Sequence, residues 1–464
     1  MILGKTKKLH FIGIGGAGMS GIAELLINYG FQITGSDLRK TNITEHLEKM
    51  GAKIYYQHKA QYITDDVDVV VKSSAIEDKN VEIKQAKNKK IPVIRRAEML
   101  SELMRMKFGI CIAGTHGKTT STSMVGMILK EAKLKPTLII GGIVKNFDTN
   151  ALLGDSDYIV VEADEFDRSF LSLSPIISGI TNIEEEHVDC YSTTEELETA
   201  FLQYANSVPF FGLIAACIDD KKVRKIVSKF KRRFCTYGLN KKADVRATNI
   251  KYHNFNSEYD LINKGDKLGT VELQLPGEHN IKNSLLAATI ALELDIPFID
   301  IRNGLLKFNG VYRRFEKKAF INDVLIYDDY AHHPSEIKAT LDGIRKSSGR
   351  RLIAIFQPHL YSRTKLFYKD FANSLFEADV VIINDVYPAR EKPIKGVSGK
   401  LIYDKLKENG HSNLKFIDKK ENIPKYLMKI VKSGDMVITM GAGDIFEAGE
   451  KFIKLLKNEI EKKK

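Results

Sequence analysis

The sequence predicts an α/β protein of three domains, and three observations support this fold class. Apolar segments that resemble strands alternate with segments of helical spacing along nearly the whole chain, which is typical of mainly parallel sheets. Two glycine-rich turns each stand between such a strand and a helix. The length of 464 residues exceeds what one hydrophobic core organises, and about 150 residues per domain gives about three domains.

The composition is that of an ordinary globular protein. Hydrophobic residues make up 43% and charged residues 28%, and no apolar run approaches the roughly 18 to 20 residues of a membrane-spanning helix. The start of the chain lacks a secretory cleavage pattern, so we expect a cytoplasmic protein with no membrane partner. The cysteines are far apart and form no CxxC pair, so neither disulfides nor a zinc site is expected for Cys111, Cys190, Cys217 and Cys235.

The net charge of +12 is compatible with an anionic partner. The excess is mostly lysine scattered over surface-like segments such as IKQAKNKKIP. Aromatic residues are not interleaved with these lysines as they are on a nucleic-acid surface. We therefore expect no nucleic-acid partner, and an anionic small substrate stays compatible with the charge.

The strand-like segments fall into three groups, each with polar residues where its strands end. The segments LHFIGIG, FQITGSD and DVDVVVKSSAI indicate a Rossmann-like domain at residues 1–106. A central domain at residues 107–312 contains KFGICIAG, SDYIVVEADE and PIISGITNI. A second Rossmann-like domain at residues 313–464 contains VLIYDDYAHHP, RLIAIFQPH, ADVVIINDVYP and DMVITMGAGD. Ligands of such sheets bind at the carboxyl ends of the strands.

The first glycine-rich turn, GIGGAG, fits the dinucleotide-binding pattern GxGxxG. Gly13, Gly15 and Gly18 are its glycines, and Asp37 ends the next strand. Glycines there allow main-chain amides to approach a diphosphate at the start of a helix. Taken alone, the pattern fits a nicotinamide or flavin enzyme, a protein for another nucleotide diphosphate, or a purely structural turn.

The second glycine-rich turn, GTHGKTT, is more specific. Gly114, Gly117, Lys118 and Thr119 resemble a Walker A loop, in which main-chain amides and a lysine hold phosphates and a hydroxyl reaches Mg²⁺. The loop departs from GxxxxGK[ST] because only two residues separate its glycines. Its position between a strand and a helix nevertheless predicts ATP binding, which a nicotinamide oxidoreductase does not need.

Further candidates follow strands of the central domain. Glu162 ends one strand and His187 follows another; a carboxylate and a threonine hydroxyl are plausible Mg²⁺ ligands, and a histidine is a less usual one. Taken alone, Glu162 is better explained as a solvated acid. Taken alone, His187 is better explained as a hydrogen-bonded structural histidine. In HNIKN, Asn280 and Asn283 lie one turn apart on a predicted helix, where their amides suit an adenine edge or a polar cap.

Taken together, these motifs resemble the Mur ligase family. The order GxGGAGM, GTHGKTT, EADE, NIExxH, HNxxN, RRFE, DDYxHHP, FQPH and GAGxI extends over nearly the whole chain. The resemblance implies an N-terminal Rossmann-like domain for a UDP-linked substrate, a central ATPase domain of the P-loop type and a C-terminal Rossmann-like domain. The motifs look most like the branch that joins L-alanine to the carboxylate of UDP-N-acetylmuramate, with ATP and Mg²⁺, through an acyl phosphate.

The resemblance also implies residue roles. ATP would be bound by the second loop, by the predicted helix of the HNIKN motif and by the third domain. The residues are Gly114, Thr115, His116, Gly117, Lys118, Thr119, Thr120, His279, Asn280, Asn283, Arg314, Asp329 and His332. The metal ligands would be Thr119, Glu162 and His187, and the catalytic residues Lys118, His187 and Arg314. The UDP-sugar would contact Gly15, Gly16, Ala17, Gly18, Met19, Asp37, Ser73 and Ser74. L-Alanine would contact Tyr330, His359 and Arg363.

Three departures from the family pattern affect this expectation. Many relatives read QPHRY where this chain has Leu360, which assigns more of the amino-acid carboxylate to Arg363. The usual NIEADH is NIEEEH here, with Glu186 in place of aspartate. No lysine occurs between His187 and Lys221, so the carbamylated lysine of several later-acting Mur ligases has no counterpart, as expected of the alanine-adding branch.

Three alternatives stay open at this stage. A recycling ligase would add a preformed tripeptide to the same sugar, although that branch usually has a cysteine in its first loop. An NAD-linked oxidoreductase would explain the first loop alone. A nucleotide-gated binding protein would keep the fold without catalysis. We expect a monomer or a homodimer.

Overall fold

The computed structural model describes residues 3–105, 107–184, 190–191, 193–389 and 391–463. These residues form three mainly parallel sheets with helices between their strands, so the predicted α/β class with three domains is confirmed. The chain divides into two compact units. The first contains Met1–Ile250, Tyr259–Glu272 and Ile281–Asn309, and the second contains Lys251–Glu258, Leu273–Asn280 and Gly310–Lys464.

The first sheet has five parallel strands in the order β3-β2-β1-β4-β5, which is a Rossmann-type order. Its strands are β1 (Lys8–Ile12), β2 (Gln32–Ser36), β3 (Lys53–Tyr55), β4 (Val69–Lys72) and β5 (Val93–Arg95), and its helices are α1 (Ala17–Asn28), α2 (Asn42–Lys49), α3 (Val81–Asn88) and α4 (Arg96–Met104). Central strand β1 buries Leu9 and Phe11, and α1 buries Ile22 and Leu26 in the same core. This packing fixes the glycine turn between β1 and α1.

The central sheet has ten strands in the order β15-β14-β13-β12-β11-β10-β6-β9-β7-β8. Its strands are β6 (Phe108–Ala113), β7 (Thr137–Val144), β8 (Thr149–Leu152), β9 (Tyr158–Ala163), β10 (Ile177–Ile180), β11 (Leu213–Cys217), β12 (Phe234–Gly238), β13 (Val245–His253), β14 (Asn256–Asn263) and β15 (Asp266–Leu273). The helices that follow these strands are α5 (Lys118–Glu131), α6 (Thr194–Asn206), α7 (Lys221–Val227), α8 (Glu278–Glu293) and α9 (Phe298–Leu306).

The middle of the central sheet positions the second glycine turn. Strand β6 pairs in parallel with β9 on one side and β10 on the other. Ala113, Ala163 and Ile180, near the carboxyl ends of these strands, are fully buried. Polar segments follow all three strands at one edge of the sheet, which is where ligands bind in such folds.

The third sheet has six strands in the order β16-β17-β21-β18-β19-β20, and only the β16–β17 pair is antiparallel. Its strands are β16 (Glu316–Ile321), β17 (Val324–Asp329), β18 (Arg351–Phe356), β19 (Val380–Ile383), β20 (Leu414–Phe416) and β21 (Asp435–Met440). Its helices are α10 (Pro334–Ser347), α11 (Tyr361–Leu375), α12 (Lys400–Glu408), α13 (Ile423–Ile430) and α14 (Phe446–Lys463).

Every strand that the sequence analysis quoted is present, as β1, β2, β4, β6, β9, β10, β17, β18, β19 and β21. The strands that were not predicted are β3, β5, β7, β8, β11–β16 and β20. Among the described residues, no helix is both long and apolar enough to cross a membrane. The four cysteines are free thiols.

Candidate active site

The second glycine turn connects β6 to α5. Its last residue, Gly117, stands where a larger side chain would not fit. Gly117 has φ 82° and is the N-cap of α5. A β-carbon on Gly117 would stand 2.4 Å from Oδ1 of Asn283. Left-handed backbone and close contact both require glycine here. The first turn of α5, which contains Lys118, Thr119 and Thr120, offers main-chain amides that have no intrahelical acceptor, so it forms an anion-binding site.

The loop is held by the segment that follows β10. The main-chain amide of His116 donates to Oδ1 of Asn182 over 2.9 Å, and the hydroxyl of Thr181 donates to the carbonyl of His116 over 2.6 Å. Thr115 accepts at its hydroxyl from the amide of Glu184 over 2.8 Å. Nε2 of His116 lies 3.5 Å from Oε2 of Glu184. The loop conformation is therefore fixed by hydrogen bonds with the segment that follows the neighbouring strand β10.

Within the part of the chain that the structure describes, Lys118 donates to Glu165 and to two carbonyl oxygens of its own loop. Its Nζ donates to Oε2 of Glu165 over 2.6 Å, to the carbonyl of Gly114 over 2.6 Å and to the carbonyl of Thr115 over 3.2 Å. Glu165 is 1% exposed. Sequence reasoning missed Glu165, although it is the last residue of the quoted EADE motif.

Two of the predicted metal ligands, Thr119 on α5 and Glu162 on β9, lie together. Oγ1 of Thr119 donates to Oε2 of Glu162 over 3.2 Å, and Oε1 of Glu162 accepts from the amide of Gly141 over 2.7 Å. A hydroxyl and a carboxylate oxygen at the head of a phosphate-binding helix match the oxygen ligands that Mg²⁺ prefers. His187, the third predicted ligand, lies outside the described residues, as does Glu186.

The first glycine turn is organised around Asp37. Oδ2 of Asp37 accepts from the amide of Gly15 over 2.8 Å, and Oδ1 accepts from the amide of Leu38 over 2.7 Å. Gly16 is the N-cap of α1. The next residues, Ala17, Gly18 and Met19, begin α1, and the side chain of Met19 is buried in the core.

Ser73 and Ser74 follow β4, the neighbour of β1. The amide of Ser73 donates to the carbonyl of Ile12 over 3.1 Å, and its hydroxyl accepts from the amide of Ala75 over 3.4 Å. Ser74 is exposed. The structure therefore brings Gly15, Asp37 and the two serines to the same end of the first sheet, and their contact with a UDP-linked substrate stays a prediction.

The predicted adenine-binding residues all lie on α8. Nδ2 of Asn280 donates to the carbonyl of Pro276 over 2.8 Å, so Asn280 has a capping contact. Oδ1 of Asn283 accepts from the hydroxyl of Ser121 on α5 over 3.3 Å. Both asparagines are buried, and His279 is half-buried.

In the third sheet, Asp329 ends β17 and is fully buried among polar partners. The hydroxyl of Thr340 donates to its Oδ2 over 2.7 Å, and the amide of Ala331 donates to its Oδ1 over 3.1 Å. Burial raises the pKa of Asp329 to about 6, against the opposing effects of the Thr340 hydroxyl and the nearby Arg314. The carboxylate therefore anchors the turn that carries Tyr330 and His332.

Arg314 and His332 share Glu336. Nη1 of Arg314 lies 3.4 Å from Oε1 of Glu336, and the amide of His332 donates to Oε2 over 3.0 Å. The guanidinium of Arg314 lies 5.1 Å from the ring centre of Tyr330. These contacts bring Arg314, Tyr330 and His332 together; the ligands predicted for them stay predictions.

His359 and Arg363 lie at the start of α11. Nη1 of Arg363 is 3.5 Å from Nδ1 of His359, and the ring of His359 stacks on Tyr387 with centres 5.7 Å apart. Leu360 between them has φ 72°, a conformation that costs a non-glycine residue free energy and is common at functional sites. Tyr387 was missed by the sequence analysis because it comes from a loop far along the chain.

The fold and the site together indicate the general class of the protein. A glycine loop at the head of a helix, a lysine and an oxygen pair at the carboxyl edge of a parallel sheet belong to a phosphate-binding α/β protein. Three family models match the chain: "Mur ligase family, catalytic domain" at residues 8–108, "Mur ligase middle domain" at residues 112–291 and "Mur ligase, glutamate ligase domain" at residues 313–443. The chain belongs to the Mur ligase family.

Individual relatives agree with the family models. The UDP-N-acetylmuramate--L-alanine ligase of Salinibacter ruber is 47% identical over 459 residues, which is 98% of this chain and 96% of that protein. The crystal structure of the UDP-N-acetylmuramate-alanine ligase MurC from Thermotoga maritima matches with a TM-score of 0.84 and 28% identity, covering 97% of this chain and 99% of that one. A murein peptide ligase from Psychrobacter arcticus matches with a TM-score of 0.71, 24% identity, and 97% and 99% coverage, and shows the fold alone.

Proposed function

We propose that this chain catalyses the ATP-dependent ligation of L-alanine to the carboxylate of UDP-N-acetylmuramate, giving UDP-N-acetylmuramoyl-L-alanine, ADP and phosphate. The observation that carries the proposal is the contact of Thr119 with Glu162 next to Lys118 at the head of α5. This arrangement suits phosphoryl transfer and has no use in hydride transfer. The names of relatives such as the Salinibacter ruber protein support the choice of acceptor and amino acid.

The reaction proceeds in two steps. A carboxylate oxygen of the sugar attacks the γ-phosphorus of ATP, ADP leaves, and an acyl phosphate remains. The amine of L-alanine then attacks the acyl carbon, and the resulting tetrahedral intermediate expels phosphate as the amide forms. The catalytic need is for charge neutralisation and positioning, because no side chain acts as a nucleophile.

The residues of the central domain supply this neutralisation. Lys118 and the amides of the first turn of α5 would hold the β and γ phosphates. Thr119 and Glu162 would hold one Mg²⁺ ion and His187 a second. When bound, Mg²⁺ neutralises charge on the phosphate oxygens. His279, Asn280 and Asn283 would contact adenine.

The remaining assignments concern the two Rossmann-like domains. The first loop and the two serines after β4 would hold the UDP diphosphate, with Asp37 shaping that loop. In the third domain, Arg314, Asp329 and His332 are assigned to ribose and phosphates, and Tyr330, His359 and Arg363 to L-alanine. We propose domain boundaries near residues 106 and 312. We also propose that the protein is cytoplasmic and is a monomer or a homodimer.

A phosphate-release assay with all components tests the proposal. ATP turnover should require both UDP-N-acetylmuramate and L-alanine, and Lys118→Ala should lower kcat by about 100-fold or more. ATP turnover that ignores the UDP-sugar would contradict the proposal. Turnover with a preformed tripeptide but not with L-alanine would favour a recycling ligase, and binding of NADH instead of UDP-sugar would favour an oxidoreductase.

A further inference from the structure

The contact of Lys118 with Glu165 has a consequence for nucleotide binding. A lysine ammonium has three N–H donors and no acceptor. In this structure they are directed to Glu165, Gly114 and Thr115, over 2.6, 2.6 and 3.2 Å. A phosphate oxygen that accepts a hydrogen bond from Lys118 would therefore compete with these partners.

Glu165 is the partner that a triphosphate replaces most readily. The two carbonyl oxygens belong to the loop itself, whereas Glu165 comes from the segment after β9 and is the only charged member of the three. Its carboxylate is 1% exposed, and two anions that share a buried site repel each other strongly. An incoming γ-phosphate would therefore displace the carboxylate from the ammonium.

The position of Glu165 is built by further contacts. Its carbonyl accepts a hydrogen bond from the hydroxyl of Tyr191 over 2.8 Å and from the amide of Arg168 over 3.1 Å. Tyr191 is buried, and the guanidinium of Arg168 lies 5.1 Å from its ring centre. The main chain of Glu165 is thus fixed, so that the carboxylate can return to Lys118 after each release.

We propose that Glu165 is a positioning residue that competes with the nucleotide phosphates for the ammonium group of Lys118. It neutralises the lysine in the empty loop, yields it to the ATP phosphates, and recaptures it as ADP leaves. The inference rests on the proposed function, since it takes the ligand of the GTHGKTT loop to be ATP. It implies that Glu165 lowers nucleotide affinity and speeds product release.

The test compares nucleotide binding by the full-length wild type and Glu165→Gln, using calorimetry with ATP and ADP in the absence of both acceptor substrates. The neutral amide competes less well for Lys118 and does not repel phosphate, so both Kd values should fall by about 5- to 20-fold. In turnover, KM for ATP and kcat should fall together, because ADP leaves more slowly. Glu165→Asp keeps the charge and should restore Kd to within about threefold of the wild type.

Glu195→Gln is the matched control. Glu195 is exposed on α6, so the same loss of one charge there should change Kd by less than about twofold. Weaker or unchanged ATP binding by a folded Glu165→Gln variant would overturn the inference. Failure of the wild type to bind ATP would instead overturn the proposed function.

A structure of the wild-type protein with a non-hydrolysable ATP analogue decides the matter even if Glu165→Gln does not fold. Oε2 of Glu165 and Nζ of Lys118 should then be more than about 4 Å apart, beyond ion-pair distance. Retention of the 2.6 Å contact beside bound triphosphate would overturn the exchange.

Discussion

The main-chain amide of Gly15 donates a hydrogen bond to Oδ2 of Asp37 over 2.8 Å. The same oxygen lies 2.9 Å from the place where a β-carbon on Gly15 would stand, and Cγ2 of Thr44 lies 3.0 Å from it. In dinucleotide-binding proteins an acid at this position holds a ribose hydroxyl. Here the acid shapes the glycine loop itself, which agrees with a loop for the diphosphate of a UDP-linked sugar.

Gly15→Ala should therefore impair the UDP-sugar site alone. The added methyl group displaces Asp37 and opens the loop, and we expect KM for UDP-N-acetylmuramate to rise at least about tenfold, equivalent to about 1.4 kcal/mol. KM for ATP should stay within about twofold. Gly349→Ala is the control, because a β-carbon there meets no atom within 4 Å. An equal rise in both KM values would contradict the separate tasks of the two loops.

The oxygen pair at the head of α5 predicts a metal-dependent phenotype. Thr119→Val removes the hydroxyl that lies 3.2 Å from Glu162 but keeps the shape of the side chain, so the Mg²⁺ concentration for half-maximal turnover should rise at least about tenfold. Thr119→Ser keeps the hydroxyl and should behave nearly as the wild type. A Mg²⁺ titration of the valine variant that overlays the wild-type curve would remove Thr119 from the metal site.

Asp329 predicts a pH-dependent stability. Burial raises its pKa to about 6, so the folded protein retains a proton that the unfolded chain has lost. Stability should therefore fall as pH rises from about 4 to 6, and stay reduced above that range. Relative to Asp329→Asn, the wild type should lose about 1 to 3 kcal/mol between pH 4 and pH 7. Thermal unfolding of both proteins across this range measures the difference; parallel curves would show that Asp329 titrates normally.

A buried acid in the first domain predicts the opposite pH dependence. Glu82 is fully buried and meets Nε2 of His10 at 3.2 Å, the hydroxyl of Ser36 at 2.7 Å and the amide of Lys59 at 3.1 Å. Burial opposes ionisation, but the hydrogen bonds from His10 and Ser36 outweigh it and hold the pKa of Glu82 below its ordinary value. This stabilisation is present above pH 4.5 and is lost as the pH falls through the lowered pKa.

Glu82→Ala leaves these partners unpaired and should lower the free energy of unfolding by about 3 to 5 kcal/mol at pH 7. The difference from the wild type should shrink as the pH falls below about 4. Glu77→Ala, at an exposed acid of the same domain that pairs with Lys79, should cost less than about 1 kcal/mol. A difference that grows at low pH would contradict the ionised state of Glu82.

Much of the fold could be predicted because its strands are continuous apolar runs that end in polar residues. LHFIGIG, KFGICIAG and VLIYDD became interior strands of their sheets, with neighbours on both sides. The strands β13–β15 were missed because half-buried strands with alternating, charged residues have a weaker pattern. The pattern also gave no sign that residues 251–258 and 273–280 cluster with the third sheet.

The candidate site could be predicted wherever a motif supplies both the side chain and its strand or helix. Lys118, Thr119 and Glu162 are of this kind, because a loop sequence and a strand end fix their positions. Glu165 and Tyr387 could not be predicted, because their contacts with Lys118 and His359 depend on how separate segments of the chain come together. Their identities follow from packing, which no local spacing encodes.

The acyl phosphate is the central claim, and an isotope measurement tests it most directly. UDP-N-acetylmuramate labelled with ¹⁸O in both carboxylate oxygens is turned over with ATP and L-alanine, and the released phosphate is analysed by mass spectrometry. Attack of the carboxylate on the γ-phosphorus predicts one ¹⁸O atom in each phosphate and one in the amide product. Phosphate without ¹⁸O would contradict activation of this carboxylate by ATP.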